Sequence, residues 1–125
     1  MTMKTGLPDV HELRTLRFRL IERRTVLEGE KRSHTLAART VADHEPGGDA
    51  VPLAQMREID LAEADRDSRE IDAINLALKR IDGGDYGLCM VCGATIGHAR
   101  LFANPHALRC VACESASERV AGTRH

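Results

Sequence analysis

Apolar residues that recur every seven positions, a Pro- and Gly-rich break between two helix-length segments, and two CxxC pairs separated by seventeen residues together predict a mainly α fold. The expected order is an antiparallel two-helix coiled-coil hairpin, a four-cysteine zinc finger and a short C-terminal helix. The composition agrees. With no Trp, one Tyr and two Phe among 125 residues, the chain lacks the side chains that supply the largest buried areas. Its 30% charged fraction is that of long solvated helices. Packing between the helices should be thin.

Residues 1–8 are read as a flexible leader. Asp9 followed three residues later by Glu12 is the signature of a reciprocal helix cap. From there Leu13, Leu20, Leu27, His34 and Val41 follow the seven-residue period, with Leu16 and Ala37 interleaved. Such a period describes a narrow seam between paired helices. His34 weakens the seam near its far end. The break at His44-Glu45-Pro46-Gly47-Gly48-Asp49 stops this helix near Asp43, and residues 43–52 form a tip loop. A second helix fits 53–82, with Leu61, Ala64, Ile71, Ile74, Leu78 and Ile81 on its apolar face and Gly83 and Gly84 at its end. The hairpin thus occupies 9–85, and the finger with its C-terminal helix occupies 86–125. About 30 helical residues at ~1.5 Å each would give the hairpin a reach of roughly 45 Å, with the loop at its far end.

Charge is unevenly spread although the net charge is −1. Residues 9–42 carry eight Lys or Arg against five Asp or Glu, whereas 53–85 carry nine acids against five bases. Helices of opposite sign attract when paired. The loop adds three acids and no base, namely Asp43, Glu45 and Asp49. A near-neutral chain is a poor candidate for neutralising many phosphates. With no secretory signal and no apolar stretch of the ~18–20 residues that span a bilayer, a cytoplasmic location is expected. Heptad seams also pair between chains, which leaves a dimer open.

Cys89-Met90-Val91-Cys92 and Cys110-Val111-Ala112-Cys113 carry the chemistry. A two-residue spacer lets both thiolates of a pair face one ion, and two such pairs complete a tetrahedron with Zn–S bonds of about 2.3 Å. Four protein thiolates leave no position for a reactive water, so the one zinc ion is structural. Gly87 and Gly93 flank the first pair, where a Cβ would obstruct backbone N–H groups turning toward sulfur. Redox-active thiols are the competing reading, disfavoured without a thioredoxin-like βαβ pattern. His98 or His106 replacing a cysteine is a further alternative.

The run Asp82-Gly83-Gly84-Asp85-Tyr86-Gly87-Leu88-Cys89-Met90-Val91-Cys92-Gly93, followed by Ile96, Arg100-Leu101, Ala103, Pro105 and Cys110 to Cys113, resembles the DksA/TraR family of bacterial transcription regulators. The resemblance also covers the order of hairpin, finger and final helix, the last over 111–120, while the first fifty residues agree only in helical character. It implies a non-catalytic protein that binds RNA polymerase and inserts its hairpin into the secondary channel to modulate initiation. The family's loop carries two aspartates three apart and an alanine two residues later. Those positions fall here on Pro46, Asp49 and Val51, so one acid is kept, and Asp43 offers a second from elsewhere on the loop. Arg66 occupies the place of an arginine that helps hold the channel rim; a solvated helix face is the competing reading. The cations that grip the alarmone ppGpp in such proteins correspond to Ala73, Asn104 and Glu114, which implies weak or absent ppGpp cooperation. A zinc-stabilised adaptor for another protein is the alternative function. Direct nucleic-acid binding is disfavoured by the lack of stacking aromatics, and no nucleophile–base pair suggests an enzyme.

Overall fold

The computed structural model describes residues 6–43 and 53–122. Among these residues four helices follow in order: α1 Val10–Asp43, α2 Leu53–Gly83, α3 His98–Ala103 and α4 Val111–Gly122. Among the described residues, β structure is confined to one antiparallel bridge between Leu88 and Thr95. No helix among the described residues is long and apolar enough to cross a membrane. The expected loop beyond Asp43, with Asp49, lies outside the described residues.

α1 starts where the cap requires. The Asp9 N–H donates to Glu12 Oε1 at 3.0 Å and the Glu12 N–H donates to Asp9 Oδ1 at 2.8 Å. Two of the first-turn donors are satisfied reciprocally. α2 ends as its glycines predict. Gly84 has φ 84°, a left-handed conformation that costs a residue without Cβ little, and its N–H bonds back to Ile81 O at 3.3 Å.

The chain divides into two compact units, one formed by Met1–Ile21 with Ala73–His125 and the other by Glu22–Asp72. In the second unit, an advance along α1 from Arg23 to His34 is matched by a retreat along α2 from Glu70 to Asp60 (Arg23–Glu70 2.8 Å, His34–Asp60 3.2 Å). The two segments therefore run antiparallel. Its buried apolar side chains are Leu27, Ala38 and Ala64, joined by Asp67. Packing here is as thin as the composition implies. Leu27, at 1% exposure, is the one large aliphatic anchor among them, and burying a side chain of that size contributes roughly 1.5–3 kcal/mol.

The seam of α2 differs from its expected course. Asp60, Ala64, Asp67, Ile71, Ile74, Leu78 and Ile81 alternate in steps of four and three and are all buried or half-buried. Leu61, expected on the seam, is 41% exposed because it lies one position to the side. On α1 the inner residue is Ala38 and not its half-buried neighbour Ala37. Reading only apolar residues hid the register, since two seam positions of α2 are aspartates.

The first unit is denser than the helices alone would suggest. Leu16 and Leu20 of α1 and Ile74, Ala77 and Leu78 of α2 are buried, as are Tyr86, Cys89, Ile96, Leu101 and Ala107 of the finger. Arg17 pairs with Asp82 at 2.8 Å, and Arg19 Nη1 donates to Phe102 O at 2.8 Å. Leu7 and Pro8, read from the sequence as leader, lie where a Cβ on Gly87 would fall, 2.9 Å and 3.3 Å away.

Asp67 is 9% exposed and its Oδ2 has no hydrogen-bond partner. A buried carboxylate oxygen without a donor is costly. Asp67→Leu is expected to stabilise the chain by about 1–2 kcal/mol, whereas Leu27→Ala should destabilise it by about 2–4 kcal/mol. Urea denaturation of the two variants, followed by helical circular dichroism, measures both signs.

Candidate metal centre

Each cysteine pair sits on a local structure that turns N–H groups toward sulfur. At the first pair, the Leu88–Thr95 bridge closes a turn in which the Cys89 N–H donates to Ala94 O at 2.7 Å and the Gly93 N–H donates to Cys89 O at 3.0 Å. The Val91 N–H then points at Cys89 Sγ, 3.4 Å away. At the second pair, Cys110 immediately precedes α4. The Cys113 N–H donates to Cys110 Sγ at 3.4 Å, so the thiol takes the place of a helix-capping oxygen.

These two turns converge. One Sγ from each of Cys89, Cys92, Cys110 and Cys113 lies within 4.8 Å of the others. The Cys92–Cys110 separation is 3.8 Å, far beyond a disulfide bond and equal to the roughly 3.8 Å edge of a tetrahedron with Zn–S bonds of ~2.3 Å. Electrostatics point the same way. Backbone N–H groups of Cys92 and Cys110, and that of Val91, pull the Cys89 thiol down to about 6 against the opposing effect of burial. Hydrogen bonding with Cys110, then with Cys89 and Cys92, pushes Cys113 up to about 12. The first thiolate is welcome and the last is resisted by its neighbours. A divalent cation at the centre removes that resistance, so the four residues fit zinc. Neither histidine weighed as a substitute belongs to the cluster; His98 Nε2 instead donates to Leu7 O at 2.9 Å.

The supporting contacts come from Arg80, which the sequence did not single out, and from Tyr86 and Arg100, which entered only through the family resemblance. Arg80 Nη2 donates to Asp85 O at 3.1 Å and to Leu88 O at 2.7 Å, fixing the chain between α2 and the first pair. The Tyr86 hydroxyl donates to Pro105 O at 2.8 Å. Arg100 Nε on α3 donates to Arg109 O at 3.0 Å, next to Cys110. α3 itself, with Leu101 fully buried, was not expected, since six residues are too short for periodicity to reveal. Gly87 is required as the sequence reading supposed, but the obstruction is Leu7, Pro8 and Leu101, at 2.9, 3.3 and 3.6 Å from a built Cβ. At Gly93 a Cβ would meet nothing within 4 Å; the constraint there is its φ of 78°.

A helical pairing beside a four-thiolate finger defines a small metal-stabilised protein whose metal is structural. The sequence profile of the prokaryotic dksA/traR C4-type zinc finger matches residues 84–119. Over 60 residues the chain is 37% identical to the RNA polymerase-binding transcription factor DksA of Haemophilus influenzae and to that of Escherichia coli K12. Each match covers 48% of this chain but only 41% and 40% of those proteins, less than half their length. The structure of transcription factor DksA2 from Pseudomonas aeruginosa superposes with a TM-score of 0.77 at 26% identity, covering 94% of this chain and 89% of that one. The chain thus carries a zinc finger of the dksA/traR C4 type and is similar to DksA proteins in sequence and in fold, and its cofactor is one structural zinc ion.

The remaining singled-out residues are not members of the four-cysteine cluster. Arg66 is exposed on α2, and Asp43 is the last residue of α1. Asn104 and Glu114 flank the second pair in sequence. Asn104 Oδ1 is buried without a partner, and Glu114 lies 3.6 Å from Arg109.

Two outcomes follow from this geometry. Cys113→Ser should bind zinc more weakly than the parent's one ion per chain, and chelation should remove amide-exchange protection at Cys89, Ile96 and Leu101. Metal analysis with hydrogen-exchange mass spectrometry reads both. Burial pushes the Tyr86 phenol up to about 12, with Arg19 acting in the other direction. The folded chain keeps a proton that the unfolded chain releases near pH 10. Stability is therefore whole below about pH 10 and declines as pH rises toward 12. Tyr86 is the single tyrosine, so phenolate absorbance reports its midpoint directly.

Proposed function

We propose that this chain binds RNA polymerase and regulates transcription initiation without catalysing a reaction. The observation that carries the reading is the coincidence of two matches. A 60-residue stretch aligns with factors named for binding RNA polymerase, and nearly the whole chain superposes on transcription factor DksA2. A zinc ion ligated by four thiolates has no open position for substrate, which supports a binding role.

In this reading the hairpin enters the secondary channel of the enzyme and its loop acts near the catalytic centre. Asp49 is the acid that keeps the family's loop position, Asp43 supplies a second charge, and Arg66 grips the channel rim. Acidic groups suit a basic channel, because attraction of unlike charge speeds and orients association. Cooperation with ppGpp is weak or absent. Ala73, Asn104 and Glu114 stand where the family uses cations, and an anion site without charge-assisted donors loses its strongest contacts. The departures at Pro46 and Val51 favour a second reading, a zinc-stabilised adaptor whose finger and hairpin bind another protein.

Asp49→Asn is expected to preserve folding and capture of purified polymerase while abolishing the effect on promoter output in a reconstituted transcription assay. Normal regulation by that variant would remove Asp49 from the mechanism. Failure of the parent chain to capture polymerase would favour the adaptor. Adding ppGpp to the same assay should change the output little beyond its effect without this chain.

A further inference from the structure

His34 stands between two carboxylates of the opposite helix. Its Nδ1 lies 3.2 Å from Asp60 Oδ1 and its Nε2 lies 3.0 Å from Glu63 Oε2. A neutral imidazole has one N–H and one lone pair. In that form, one of the two nitrogens would present its lone pair to a carboxylate. The imidazolium alone donates on both sides. Asp60 and Glu63 are three residues apart on α2 and therefore neighbours on one helix face, so they repel each other when no cation lies between them. The side chains are 28%, 24% and 43% exposed for His34, Asp60 and Glu63. They are wet enough to exchange a proton and covered enough to limit screening.

From these contacts we infer that His34 is a proton-operated latch joining α1 to α2 within the unit Glu22–Asp72: the imidazolium clamps the helices, and loss of its proton loosens them. The surrounding charges support this. Hydrogen bonding to Asp60 is the largest influence raising the His34 pKa above 6.5, with Glu63 and the buried Asp67 adding to it and partial desolvation opposing. On its own helix, Glu30 and Lys31 stand one turn earlier and offset each other in charge. Because the folded pKa is raised, the contribution is complete below about pH 6.5 and is lost as pH rises through the higher folded value. The seam around the latch is sparse, with Leu27, Ala38 and Ala64 as its buried apolar residues, so one polar contact has leverage. The three residues also form a cluster able to offer ligands to a metal. A single ion would draw on one ring nitrogen only, whereas both nitrogens are engaged here, and a proton satisfies both.

The test is a pH titration of the zinc-loaded full chain, with the His34 ring resonance identified by its absence in His34→Leu. The His34 midpoint should exceed 6.5 and fall in both Asp60→Asn and Glu63→Gln. Amide-exchange protection across 22–43 and 53–72, corrected for intrinsic rates, should drop as pH rises through that midpoint, by about tenfold for each pH unit of the raised midpoint. His34→Leu should keep protection but lose the step. If that variant fails to fold, the two carboxylate variants must still show a smaller step. A midpoint at or below 6.5, or an unchanged step in the variants, overturns the latch. So does tight uptake of a second zinc ion that requires His34, which would make the cluster a metal site.

Discussion

Four thiols held within 4.8 Å of one another make a demand that the surrounding chain must meet. Without a cation, successive thiolates repel; with one, their charge is what binds it. Each feature of the finger answers to that demand. The Leu88–Thr95 bridge forms the first turn, the start of α4 forms the second, and Arg80, Arg100 and Tyr86 tie down the intervening chain through backbone carbonyls. The buried apolar residues of the finger, Ile96, Leu101 and Ala107, are few. Metal ligation and side-chain-to-backbone bonds share work that a larger domain would leave to its core.

Helix pairing follows different physics in the two units. In the first, Leu16, Leu20, Ile74 and Leu78 bury almost completely, and pairing is hydrophobic. In the second, charged and titratable residues occupy seam positions. Arg23 meets Glu70, His34 meets Asp60 and Glu63, and Asp67 is buried. Polar groups at seam positions fix register and reduce stability relative to aliphatic ones. The second unit thus trades strength for a defined pairing that answers to solution conditions.

Local chemistry was legible in the sequence. The Asp9–Glu12 cap, the stop of α2 at Gly83 and the pairing of the cysteines that cluster each depend on residues a few places apart, and there the rules of capping, turn and spacing apply directly. The seven-residue period of α1 was legible too, because Leu16, Leu20 and Leu27 mark it plainly. What misled was polarity. Leu61 looked like a seam residue and Asp60 and Asp67 did not, since an apolar pattern cannot reveal a seam that is partly ionic.

The sequence by itself therefore determined the limits of the two long helices and the spacing of the cysteine pairs that cluster, all of which rest on short-range spacing. Only the tertiary structure decided which polar residues meet. His34 lies 26 residues from Asp60, and Arg19 lies 83 from Phe102. Leu7 comes to occupy the space that keeps Gly87 bare. Those partners are chosen by the register of two helices and by the closure of a metal loop. A hydrogen bond or ion pair across such a distance along the chain leaves no local trace in composition or period.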